Sequence, residues 1–220
     1  SLRRQRQTCI RDRAPTVTRS GFTFAGWTID SPTVVTSHLA TSDRTIIALW
    51  VTNVALTGDT LLTTTQGRAE SITLTALGGL GTRVFSISGT NAGLNFSVDS
   101  VTGRLSVPAS VPSGTYYETI TVTDSAGVTA TKVITVVVNA EVSITGGGNI
   151  TTTAGRAESS VAFTVTGGTQ LITLTISGSV AGVTVTSSGI VTVSSLTPAG
   201  VYNLVVTATD FLGMSDTAAI

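Results

Sequence analysis

TTTQGRAES, residues 63–71, returns as TTTAGRAES at 151–159, 88 positions later. Two nearly identical spellings at that distance imply a repeated structural unit, and a repeat restricts the fold more than any composition does. The correspondence runs on past the motif. Ser160 adds a residue, after which the offset is 89 and TALGGLGTRVFSISG (75–89) aligns with TVTGGTQLITLTISG (164–178). The second copy then omits three residues around the DSVTG turn. At the resulting offset of 86, Gly103 meets Gly189, Tyr116 meets Tyr202, and Thr123-Asp124 meets Thr209-Asp210. These length differences fall at turns and strand edges, where insertions cost least.

Within each copy, apolar residues recur at every second position. Ile72, Leu74 and Ala76 alternate with Thr73 and Thr75, and Val161, Phe163 and Val165 repeat the spacing. Leu94, Phe96 and Val98 follow the same rule, as do Leu105 with Val107 and Ile120 with Val122. A period of two sends one set of side chains to a core and the other to solvent, which is the signature of strands. LGGLG, SGTNAG, DSVTG, PASVPSG and DSAG punctuate the runs. Six or seven short strands with turns at this spacing predict an antiparallel sandwich. TTTxGRAES then reads as the first strand with its turn into the second, Gly67 and Gly155 supplying the positive φ of the turn. Glu70 and Glu158 read as charges beside an edge strand that discourage sheet-to-sheet pairing. By alternation Glu118 shares a face with Tyr116 and Ile120; a carboxylate there is expected at the open rim, partly exposed. Tyr116 and Tyr202 follow PxG and are expected to form tyrosine corners.

Composition excludes several function classes. A single cysteine, Cys9, rules out an internal disulfide framework and a multi-cysteine metal site. With one histidine, His38, and one lysine, Lys132, serines and threonines lack a positioned base, so no catalytic residues and no enzyme are expected. No apolar run reaches the roughly 20 residues of a membrane-spanning helix. Net charge is zero, but six of the twelve basic residues lie within the first nineteen, and residues 20–220 carry a net −5. An acidic body with few aromatics is not expected to bind nucleic acid. The basic stretch SLRRQRQTCIRDR, residues 1–13, is similar to translated sequencing-adapter read-through and is excluded from fold reasoning.

The pattern GGxxxxxFSISGxxAGLxFxxxxTGxLSVPxxxPSGTYxxTxTVTDSAG resembles immunoglobulin-like, cadherin-like repeats of large bacterial surface proteins. GFTFAGWTIDSPTVVTSHLATSDRTIIALW, residues 21–50, resembles the Listeria–Bacteroides repeat, with Gly21, Phe22, Phe24, Gly26, Trp27, Ala48 and Trp50 at its signature positions. These resemblances imply an all-β chain: a partial β-grasp-like module over 14–50, then two tandem immunoglobulin-like β-sandwiches over 51–139 and 140–220. Ile220 aligns with Ile134, so the last strand of the second sandwich is expected to be cut short. They further imply an extracellular, cell-surface spacer or adhesion role. The partners would be neighbouring repeats, with a surface glycan or protein as the alternative, and accessory domains of a secreted enzyme as another.

Asp124 and Asp210 stand at one place, in TVTDSAG and TATDFLG, after a strand and before a glycine-containing turn. Cadherin-type calcium sites use aspartates near such positions with an acidic linker. Asp124, Asp210 and the linker residue Glu141 are therefore the candidate calcium ligands. A hard cation takes about six to eight oxygens, several from carboxylates, and the linker VVNAEVSITGGGN offers Glu141 alone. An aspartate capping its own turn needs no metal, and no cofactor is expected.

Overall fold

The computed structural model describes residues 16–29, 34–35, 46–89, 93–178 and 180–220. Residues 1–13 with Cys9, and His38, lie outside them. Among the described residues every regular element is a strand.

The first three strands, β1 (Phe22–Ile29), β2 (Val34–Val35) and β3 (Ile46–Thr52), form an antiparallel sheet in the order β2-β1-β3. Strict alternation would place Phe24 and Trp27 on opposite faces. A register shift between Phe24 and Gly26 adds one residue, and Gly26 adopts φ 140° there. The bulge turns both rings to one side. Phe24 lies 5.2 Å from Trp27 and 5.7 Å from Trp50, both edge-on. The aromatic signature is thus a small cluster on one face of the sheet.

The first sandwich comprises β4 (Ala55–Thr57), β5 (Leu61–Thr65), β6 (Glu70–Thr73), β7 (Thr75–Leu77), β8 (Arg83–Gly89), β9 (Ser97–Val98), β10 (Arg104–Val107), β11 (Gly114–Asp124) and β12 (Thr129–Asn139). One face holds β6-β10-β9 with the β4–β7 pair, and the other holds β5-β12-β11-β8. The first strand is therefore divided between sheets. β4 pairs with β7, and β5 crosses over to pair with β12 in parallel. Gly58, φ 122°, makes the crossing; a Cβ there would stand 3.0 Å from Leu74 Cδ2. The expected antiparallel sandwich thus contains one parallel pair.

The second sandwich comprises β13 (Ser143–Gly146), β14 (Glu158–Ser159), β15 (Phe163–Thr166), β16 (Thr173–Ser177), β17 (Val183–Val185), β18 (Val191–Val193), β19 (Val205–Thr209) and β20 (Ser215–Ala219). Its sheets are β14-β18-β17 with the β13–β15 pair, and β16-β19-β20. The chain is all-β, and its core residues fall into two clusters, one per sandwich. Leu62, Leu74, Phe85, Leu105, Ile120, Val122, Ile134 and Val136 lead the first. Val142, Ile144, Phe163, Val191, Val206 and Ala208 form the second. Burial of each such Val, Leu, Ile or Phe side chain contributes about 1.5–3 kcal/mol.

Two expectations fail. Val161 is 75% exposed, whereas Phe163 is buried. The inserted Ser160 is the reason: its N–H bonds Val191 O and its Oγ accepts from Val191 N, so the chain bulges and Val161 rotates outward. Glu118 is buried, at 3% exposure, rather than partly exposed at the rim. Its cross-strand neighbour is Gly89. The carboxylate lies over that glycine, where any Cβ would collide with Glu118 Oε2. Both tyrosine corners are present. Tyr116 donates to Pro112 O at 2.8 Å and Tyr202 to Pro198 O at 2.9 Å, each ring lying over the glycine two residues earlier.

Leu105 has no solvent exposure and faces the centre of the first core. Leu105→Ala is expected to destabilise that sandwich by about 2–5 kcal/mol in urea denaturation. The second sandwich, followed through amide exchange of β19, should keep its stability.

Candidate functional site at the junction of the sandwiches

The two aspartates singled out in the sequence accept the same set of backbone N–H groups. Each closes a hairpin, β11–β12 or β19–β20. Asp124 Oδ1 accepts from the N–H groups of Ala126 and Val128, both at 2.9 Å. Asp210 Oδ1 accepts from Leu212 and Met214 at 2.9 and 2.8 Å. The other oxygen reaches across to the loop joining β7 to β8 in the first sandwich, or β15 to β16 in the second. Oδ2 of Asp124 accepts from Leu80 N–H, and Oδ2 of Asp210 from Thr169 N–H, each at 2.9 Å. Just before those residues stand Gly78-Gly79 and Gly167-Gly168, all with positive φ. Gly79 N–H bonds Thr52 O at 2.7 Å, and Gly168 N–H bonds Ala140 O at 2.9 Å. Each aspartate therefore ties two loops, and the glycine pair holds the incoming chain against them.

Asp124 and Asp210 are far apart. β11 and β12 stay in register from Gly114↔Val138 to Thr123↔Thr129. At about 3.3 Å per residue, Asp124 lies roughly 30 Å from the pole where Asn139 ends the sandwich. Asp210 stands at that second pole, between the sandwiches. Its Oδ2 also accepts from the Thr65 hydroxyl, 2.6 Å away. Thr65 and Thr169 Oγ1 are 2.8 Å apart, and Asn139 Nδ2 donates to Thr169 Oγ1 at 2.8 Å. With the Thr65 hydroxyl donating to the carboxylate, the direction of the chain is fixed: Asn139 to Thr169, Thr169 to Thr65, Thr65 to Asp210. Thr65, Thr169 and Asp210 are buried, and such chains ending on a charge reinforce one another at low dielectric.

The surrounding contacts come from the repeated motif. Arg68 Nη1 donates to Leu212 O, and Gln66 Nε2 donates to Glu141 Oε1 at 3.3 Å. Gly67 leaves room for Met214, whose Cε would be 3.2 Å from a Cβ at that position. Thr65, Gly67 and Arg68 of the first sandwich thus receive the β19–β20 turn of the second, and Gln66 holds Glu141 ahead of β13. The second motif copy folds alike. Arg68 N–H bonds Thr65 O and Arg156 N–H bonds Thr153 O, both at 3.0 Å. Gly67 and Gly155 have φ 88° and 83°. Glu70 and Glu158 lie on edge strands, each bonding the next residue's N–H.

The calcium candidates do not assemble into a cation site. Asp210 and Glu141 share the junction while Asp124 is at the opposite pole. The oxygens of both aspartates are met by N–H and O–H donors, whose positive ends would face a cation. No group of three or more His, Cys, Asp or Glu among the described residues is arranged to hold a metal. For Asp210, burial raises the pKa, but the Thr65 hydroxyl and the Thr169, Met214 and Leu212 amides outweigh it and hold the carboxyl below its ordinary value. The Leu80 amide, followed by Val128 and Ala126, lowers Asp124 against the same opposing burial.

No protein-family model and no curated protein matches the sequence. Among solved structures, the N-terminal eight Ig domains of Down Syndrome Cell Adhesion Molecule superpose with a TM-score of 0.52 at 12% identity. The match covers 80% of this chain and 29% of that one. It shows the immunoglobulin-like fold of the tandem sandwiches. Protocadherin Gamma B7 extracellular cadherin domains 1–4 match at 14% identity over 80% of this chain and 52% of that one. Their TM-score of 0.36 is too low to carry an argument.

A carboxyl with a depressed native pKa stabilises the fold fully above its unfolded value, about 3.9, and loses that contribution as pH falls through the native value. Acid titration monitored by near-ultraviolet circular dichroism should therefore weaken the junction only below about pH 4. Thr65→Val keeps the shape and removes the donor, and is expected to cost about 1.5–3 kcal/mol. In an Asp210→Asn background the same substitution should cost clearly less, because the two act on one bond.

Proposed function

We propose that the chain is part of a bacterial extracellular spacer or adhesion protein whose repeats lock end to end through hydrogen bonds without calcium. The observation that carries this reading is the use made of TTTxGRAES. In the first sandwich it is the seat for the next one, and the same residues recur, with the same turn, at 151–159 of the second. A binding module needs its repeated residues on a shared ligand surface; here they lie at the pole where repeats meet. Of the exposed aromatics, Tyr117 belongs to the first sandwich, while in the second Phe211 lies in the β19–β20 turn and Tyr202 is held in its corner by Pro198 O at the other end of β19, which gives no single stacking platform.

In this reading residues 51–139 and 140–220 are the two repeats and 14–50 is a separate Listeria–Bacteroides-type module. Neighbouring repeats of the same chain are the principal partners. A surface protein or glycan would be engaged elsewhere in the full array, and the location is the cell surface. The candidate ligands Asp124, Asp210 and Glu141 serve as structural acceptors rather than as metal ligands.

Small-angle scattering of the chain is expected to give an elongated particle whose maximum dimension is the same in calcium and in EDTA. Arg68→Ala combined with Thr65→Val should broaden the distance distribution while both cores stay folded. A calcium-dependent contraction, or a calcium-induced rise in melting temperature, would sink the proposal.

A further inference from the structure

On the flank of the first sandwich, the outer face of the sheet β6-β10-β9 carries a polar cleft of about 320 Å³. Strand register builds it. Ser106 of β10 pairs with Ser71 of β6 on one side and with Ser97 of β9 on the other. Leu105 and Val107 beside it are buried, so alternation turns Ser106 outward. Three serines thus form one row across strands about 4.8 Å apart. Two residues back along β10, on the same face, stands Arg104, whose Nε donates to Ser71 Oγ at 3.0 Å. Asn95 also lines the cleft. Its φ of 58° is one that asparagine adopts more readily than most residues.

One charge in this cleft is uncommitted. Glu70, at the cleft's edge, accepts from the Ser71 N–H through Oε1 and pairs with Arg68 through Oε2. Arg104 spends Nε on Ser71, and among the described residues nothing accepts from its Nη groups. The cleft therefore presents a fork of N–H donors with a fixed base, beside hydroxyls and an amide that both donate and accept.

The second sandwich shows which part the fold requires. Its row recurs as Ser159, Thr192 and Thr184, with Glu158 in the place of Glu70. There Thr184 and Thr192 Oγ1 bond one another at 2.9 Å, and Ile190 takes the place of Arg104. The hydroxyl row belongs to the repeat; the cation does not, and the sheet forms without it.

We infer that the cleft binds a carboxylated sugar, a hexuronate unit of an acidic polysaccharide. The edge of a guanidinium meets a carboxylate through two parallel bonds, and a single free positive charge matches one carboxylate rather than a dianionic phosphate. Ser71, Ser97, Ser106 and Asn95 face a ligand whose ring hydroxyls donate and accept in turn. Apolar lining is confined to Ala69, Val107 and Pro108, too little for the side-chain pockets that a bound peptide strand uses. Recognition is by hydrogen bonds and not by stacking. The inference goes beyond the spacer reading and does not rest on it. The cleft uses none of the side chains that bond the second sandwich, so one repeat both spaces and binds.

Nuclear magnetic resonance of the full chain titrated with trigalacturonate tests this. The amides of Ser71, Ser97, Arg104 and Ser106 are expected to shift saturably, with a Kd of about 1 mM or tighter. Those of Ser159, Thr184 and Thr192 should stay in place. Arg104→Gln should weaken binding about tenfold or more, and Ser106→Ala roughly threefold. Arg104→Lys should recover only part of the affinity, because an ammonium cannot form the fork. Arg104 is exposed, so both of its variants are expected to melt with the parent chain. Absence of saturable shifts, or an affinity untouched by Arg104→Gln, would overturn the inference. So would equal binding of a neutral galactose trisaccharide. Tighter binding of inorganic phosphate, or of a tetra-aspartate peptide, would also overturn it and give the cleft to a phosphate group or to a protein partner.

Discussion

A carboxylate taken out of water has to be surrounded by donors, and that requirement organises both poles of this protein. Asp124 and Asp210 each draw backbone N–H groups from two separate loops. The turn between the last two strands is thereby shaped, and it is fixed to the loop carrying the glycine pair. Since that glycine pair also receives the incoming chain, one anion sets the angle at which the preceding module joins. A cation would compete for the same lone pairs and release those amides. Metal-free and metal-bound junctions are therefore alternative solutions at this place in the fold.

The second pole adds a contribution from outside the domain. Thr65 supplies the hydroxyl that Asp210 would otherwise take from water, and Thr169 and Asn139 pass the polarisation along. Asp124 has its loop amides but no equivalent hydroxyl, because the strand preceding its pole ends at Thr52, whose carbonyl goes to Gly79. The same repeat can thus follow a module of a different kind through backbone contacts, and follow its own kind through an additional side-chain chain. Thr65, Gln66 and Arg68 supply side-chain contacts at the second junction, while the glycine pair and the aspartate are common to both.

Much of this was readable from residue order. The two-residue period located the cores, because Leu74, Leu105, Ile120 and Val122 obey it without exception. The tyrosine corners and the turn-capping aspartates were legible because their partners lie within four residues. The Thr65–Asp210 bond was not, since 145 positions separate its ends and nothing local marks which threonine of TTT faces the next domain. Val161 was misread because one inserted residue reverses a period of two, so the alignment offset mattered more than hydrophobicity. Glu118 was misread because its burial depends on Gly89 in the neighbouring strand. The parallel β5–β12 pair was hidden by the brevity of both halves of the divided first strand.

That division has a wider consequence. Because β5 leaves the first sheet to pair with β12, the last residues of the opening strand and of the closing strand end side by side at one pole. Thr65 and Asn139 are register partners there, and both belong to the hydrogen-bonded chain that reaches Asp210. Completion of a sandwich and attachment of the next are therefore built from the same short segments. In the second sandwich the corresponding turn, Thr153–Arg156, recurs with the same backbone hydrogen bond and a positive φ at Gly155. The internal stability of one repeat and the stiffness of the joint that follows it are set by a common ladder of β5 with β12, rather than by separate parts of the domain.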